Sequence, residues 1–147
     1  MTGTAAREEF AKGLSALQHD HLYLALTCFE QAMLLERTPE CCSYMAYCIA
    51  KARNAYDEAV MLAREALHDE PFNPLHYLHL GRILLMARRR QEALDVLRSG
   101  IPHDSSGDII IELERLGRRS PPVFSSLKRE HPLNKYSGMV LSRLGLR

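Results

Sequence analysis

Three segments of the chain share one spacing. "ALTCFEQA" runs from Ala25 to Ala32, "AVMLAREA" from Ala59 to Ala66, and "ALDVLRSG" from Ala93 to Gly100. Their leading alanines stand 34 residues apart each time (59 − 25 and 93 − 59). In each segment the first, fifth and eighth residues fall on one face of a helix. A helical pattern that returns in one register without insertion constrains the fold more than composition does, because it implies a single supersecondary unit used repeatedly.

Local signals place helices around these segments. Thr4 reads as the cap of a first helix, and Asp20 as the cap of the next. Thr38-Pro39 and Asn73-Pro74 pair a capping side chain with a proline in the first turn, where no amide hydrogen is needed. Asn54, with Asp57 three residues on, reads as the opening of a fourth helix. The expected helices are 5–18, 21–36, 39–52, 55–69, 74–87 and 90–99, joined by short connections, with no period-two alternation of a half-buried strand. The fold class is therefore all-α, built from antiparallel helix pairs.

These residues resemble the tetratricopeptide repeat family, whose unit is a helix–turn–helix of the same period. The family's small residue at position 8 matches Gly13 and Gly81, and its alanine at position 20 matches Ala25, Ala59 and Ala93. The large residue at position 24 matches Phe29 and Leu97, the small one at position 27 matches Ala32, Ala66 and Gly100, and the late proline matches Pro71. Tyr47 stands where glycine is usual, Ala63 where an aromatic is usual, and Arg37 and Ser105 replace proline. The resemblance implies a right-handed α-solenoid with three repeats at 6–39, 40–73 and 74–106, within a region 1–106. Residues 107–147 are then either C-terminal capping helices or a partly flexible tail, with a seventh helix ending at Gly117 and two more at 121–130 and 134–144.

The resemblance also implies a surface. First helices of successive units line a concave groove, which assigns Arg7, Phe10 and Leu14 from the first unit, Tyr44, Cys48 and Lys51 from the second, and Leu78, Arg82, Leu85 and Met86 from the third. Such a groove is apolar with a few positive points, and suits a protein or peptide carrying apolar and acidic residues. Phe10 and Leu14 replace the Lys and Asn with which some members grip a terminal carboxylate, so that clamp is not expected.

Chemistry is poorly represented. No phosphate-binding loop, nucleophile elbow or HExxH motif is present. His76 and His79 share a helical face but lack further ligand partners, and are expected to be partly packed surface residues. Cys28, Cys41, Cys42 and Cys48 form no CxxC and read as small packed residues. Residues 1–70 carry 6 basic against 11 acidic side chains and residues 71–147 carry 13 against 7, yet the net charge is only +1. The basic turn Arg88-Arg89-Arg90 reads as solvated, without the aromatic platform a nucleic-acid surface needs. The expectation is a cytoplasmic, monomeric interaction module with weak self-association at most. It binds no nucleic acid, membrane, metal or cofactor and catalyses nothing. The alternative is a small chaperone of the same repeat type for a secreted or assembling client.

Overall fold

The computed structural model describes residues 2–118, all of them helical or in short connections, with no strand among the described residues. The chain divides into two compact units, Met1–Ile109 and Ile110–Arg147. Seven α-helices are present among the described residues: α1 Thr2–Gln18, α2 Leu22–Leu35, α3 Pro39–Arg53, α4 Tyr56–Asp69, α5 Pro74–Met86, α6 Arg90–Gly100 and α7 Asp108–Arg118. A single 3₁₀ turn, Ile101–His103, follows α6. Helices pair as α1 with α2, α3 with α4 and α5 with α6, and the pairs stack through α2 on α3, α3 on α5 and α4 on α5.

The repeat is visible in the backbone itself. The second helices begin at Leu22, Tyr56 and Arg90, 34 residues apart each time (56 − 22 and 90 − 56). The three non-glycine residues with positive φ among the described residues keep the same interval: Asp20 at 59°, Asn54 at 55° and Arg88 at 62°. Each follows a first helix in the left-handed conformation that ends helices by turning the chain out of register. The Asp20 amide donates to Leu17 O at 3.1 Å and the His21 amide to Ala16 O at 2.9 Å. Arg88 and Arg89 repeat this with Leu85 O and Leu84 O, so both turns close by the Schellman pattern.

Two expected caps are thereby corrected. Asp20 and Asn54 do not open the following helices; α2 and α4 start after His21 and Ala55, neither of which makes a side-chain cap bond. Asp and Asn tolerate the left-handed region better than other side chains, so the same residue types serve the end of one helix and the start of another. The proline-marked caps stand: Thr38 Oγ1 accepts from the Cys41 amide at 3.2 Å, and Asn73 Oδ1 from the Leu75 amide at 3.1 Å. Thr4 lies inside α1, which starts at Thr2, and Gly117 lies inside α7 instead of ending it. The helices expected at 121–130 and 134–144 fall outside the described residues.

The core of the first unit is made of the residues that carry the period. Ala25, Ala59, Ala93, Phe29, Leu97 and Ala66 are all fully buried. A Cβ on Gly13 would lie 2.6 Å from Cε1 of the Phe29 ring, and one on Gly81 would lie 2.6 Å from Cγ of Leu97. On Gly100 it would meet Tyr77 Cβ at 2.6 Å and Ile109 Cδ1 at 2.7 Å. Small residues at these points let the helices approach closely enough to bury the large residue opposite.

Two substitutions separate these effects. Gly13→Ala forces the buried Phe29 ring to move, and should lower the unfolding free energy by about 1–3 kcal/mol in urea titration. Arg88→Gly removes the strain of a long exposed side chain held left-handed, and should raise it by about 0.5–1 kcal/mol.

Candidate functional site

The first helices form a row. α3 packs on α5, and α1 reaches α3 through the rings of Phe10 and Tyr44, edge to face at 5.6 Å. Phe29 from α2 closes this trio at 5.6 Å from Phe10 and 5.7 Å from Tyr44. Tyr44 then meets the imidazole of His79 on α5 at 4.7 Å, and Tyr47 stacks on the same imidazole at 5.2 Å. Each such pair is worth about 0.5–1.5 kcal/mol beyond the area it buries. Five rings thus tie all three first helices together.

The residues assigned to the groove from the sequence fall into three groups. Arg7 and Lys51 are exposed, and Phe10, Leu14, Tyr44, Arg82, Leu85 and Met86 are half-buried. Phe10, Leu14, Tyr44, Leu85 and Met86 pack against the core cluster and keep part of their surface outside it. Cys48 and Leu78 are a correction: both are buried, Cys48 completely. The Cys48 side chain has only two heavy atoms and ends below the level of its larger neighbours, so it contributes to the core. Lys51 is not an unbalanced cation either, because its Nζ lies 3.4 Å from Asp20 Oδ1 and 5.7 Å above the Tyr47 ring.

Burial sets the chemistry of the thiols. It pushes Cys41 up to about 12 and Cys48 up to about 11, and raises Cys28 and Cys42 as well. Thiolate is the nucleophilic and metal-binding form, so these groups are held in the unreactive state. Among the described residues no group of three or more His, Cys, Asp and Glu side chains is placed to hold a metal ion.

The histidines of α5 correct a second expectation, because both are buried. His76 Nε2 lies 2.9 Å from Glu70 Oε2, while its Nδ1 is buried without a hydrogen-bond partner. His79 Nδ1 lies 2.9 Å from Ser43 Oγ on α3. The overlooked signal is the rest of the helix, "PLHYLHLGRILLM", which is apolar almost all round and so must be enclosed on most sides.

A cavity of about 310 Å³ opens beside the N-terminal half of α1 and the start of α3. It is lined by Ala6, Arg7 and Phe10 of α1, by Ala32 and Glu36 at the end of α2, by Thr38, Glu40 and Cys41, and by Glu70 after α4. Of the residues assigned from the sequence, Arg7 and Phe10 are here. The carboxylates were missed because each lies at a helix end, where acidic residues commonly serve only solvation or the helix dipole.

Burial first, and then the nearby Arg82 guanidinium, lowers the His79 imidazole to about 3. An unfolded chain protonates this group near its ordinary value, so between pH 6.5 and about 3 the unfolded state binds more protons and stability decreases as the pH is lowered. The native chain should lose about 2 kcal/mol from this group between pH 8 and pH 5 in chemical denaturation. His79→Gln, which leaves Ser43 a polar neighbour but cannot titrate, should show a correspondingly flatter profile.

No protein-family model and no curated protein matches the sequence. Solved structures do. The chain is similar to the TPR domain of Arabidopsis OM64, with a TM-score of 0.68 at 17% identity over 81% of this chain and 98% of that one. It is similar to the TPR2B domain of yeast Sti1 in its pHsp70 complex, with a TM-score of 0.67 at 17% identity over 77% and 93%. The Sgt2 TPR domain from Aspergillus fumigatus gives 0.61 at 16% identity over 88% and 93%. At these identities the likeness is one of fold. The chain has the fold of a tetratricopeptide-repeat domain, an all-α stack of helix–turn–helix units.

Proposed function

We propose that the chain is a protein-interaction module that holds a peptide or partner segment along the row of first helices and has no chemistry of its own. The observation that carries this reading is the row itself. Phe10, Leu14, Tyr44, Leu85 and Met86 are anchored in the core yet only half-buried, on helices locked together by ring contacts. A preorganised apolar surface of this kind loses little entropy when a segment docks on it. One structural neighbour, the yeast Sti1 domain, is seen as a complex with pHsp70, which supports a binding role for the fold.

A second reading, a chaperone for an aggregation-prone client, draws on the opposite face. Tyr23, Leu24 and Leu34 of α2 and Met61 of α4 are exposed at 68%, 56%, 79% and 73%. Large apolar side chains left in water on second helices offer a diffuse contact for unfolded chains.

A photo-crosslinking residue at Arg7 or Lys51 reports on the first helices, and one at Leu34 or Met61 on the second. In extract of the source cell, adducts resolved by mass spectrometry should form from Arg7 and Lys51 with one defined partner. Adducts confined to Leu34 and Met61, with many partners, would instead select the chaperone reading.

A further inference from the structure

We propose that the cavity between α1 and the start of α3 is a subsite for a lysine or arginine side chain of the segment bound along the first helices. The inference rests on the interaction reading above and adds to it the chemistry of one contact. Apolar walls come from Ala6, Ala32 and the Phe10 ring, while Glu36, Glu40 and Glu70 supply three carboxylates against the one guanidinium of Arg7. The formal charge of the lining is therefore −2 (three negative, one positive). Glu36 and Glu40 make no ion pair within the described residues, whereas Glu65 binds Arg37 at 2.6 Å and Glu92 binds Arg89 at 2.7 Å.

Glu70 is the fixed member of the set. Its Oε2 accepts from Asn73 Nδ2 at 3.0 Å and lies 2.9 Å from His76 Nε2. These two contacts, Asn73 first, hold its carboxyl below the ordinary carboxylate range, so it carries full charge at neutral pH.

The shape selects among cations. No three acidic side chains among the described residues converge to hold a metal ion, so the site does not suit a compact divalent cation. A long side chain suits it, because its methylene stem lies on Ala6, Ala32 and the Phe10 face while its head reaches the carboxylates. The volume, about 310 Å³, is at the small end of binding cavities and matches one side chain better than a whole ligand. The acidic partner residue expected from Lys51 and Arg82 would be repelled here.

The test uses the full chain and a random dodecapeptide library displayed on phage, with the affinities of selected synthetic peptides read by fluorescence anisotropy. Selected peptides should share a lysine or arginine at a constant offset from apolar residues. Changing that residue to alanine should weaken binding about 5- to 10-fold, as one charge-assisted contact does. Glu36→Gln with Glu40→Gln should weaken binding by a similar factor, and the peptide and glutamate changes together should cost no more than either alone. Circular dichroism melts of the variant confirm that these surface changes leave the fold intact. The subsite fails if selected peptides lose affinity with Leu14→Ala or Lys51→Ala yet carry no basic residue and ignore the glutamate changes; the first-helix reading then stands. If binding ignores Leu14→Ala, Lys51→Ala and the glutamate changes alike, the first-helix reading itself falls.

Discussion

How closely the two helices of a pair can approach governs the rest of this structure. In the first pair the Phe29 ring occupies the space a Cβ on Gly13 would need, and in the third Leu97 does the same at Gly81. The middle pair has the sizes exchanged, with Tyr47 at the position of the glycine and fully buried Ala63 at the position of the large residue. By the register of the outer pairs these two face each other, so the volume across the pair is kept although the side that supplies it is reversed. The exchange has a consequence for the next layer. Placed on α3, the large ring stacks on His79 of α5 and joins the second pair to the third, as Phe29 on α2 joins the first pair to the second through Tyr44.

Enclosing α5 then obliges its polar side chains to find partners. His79 reaches Ser43 across the α3–α5 contact, and His76 reaches Glu70 at the end of α4. Buried polar pairs of this sort add little net stability, but an unmade one is costly, so they disfavour any other register of the stack. The end of the second pair also shapes the cavity. Glu70 is held by a buried imidazole while its carboxylate lines the cavity, so the position of one cavity wall is set by the packing of the third repeat.

The sequence carried the repeat and the helix pairs clearly, because a 34-residue interval with proline-marked caps such as Thr38-Pro39 arises in few kinds of fold besides stacked helix pairs. It misled at Asp20 and Asn54, where a residue type common to both ends of helices sits at a left-handed stop. It misled again at His76 and His79, since periodicity counts imidazole as polar while a buried hydrogen bond lets it serve in a core. The repeat register put Phe10, Tyr44 and Cys48 on first helices, but the first two are half-buried and Cys48 is fully buried, so register alone does not say how far a side chain reaches. The cavity was illegible because Glu36, Glu40 and Glu70 come from three separate helix ends that only the stack brings together.

Charge along the row of first helices is unevenly balanced as a result. At the C-terminal end of α3, Lys51 has Asp20 beside it and Arg53 has Glu30 at 3.2 Å. Exposed pairs like these contribute about 0–1 kcal/mol, so they do little to hold the repeats together, but they do cancel the local field. At the N-terminal end Glu36 and Glu40 have no such counterions within the described residues, and Arg7 alone opposes three carboxylates. The two ends of α3, separated by about 16 Å at the helical rise for eleven residues, therefore differ in unbalanced charge even though the whole chain is nearly neutral. The row thus has an uncompensated negative end and a compensated positive one. In the proposed binding mode that difference would orient the docked segment by its basic residues, and it gives the acidic front half of the sequence a position that the net charge conceals.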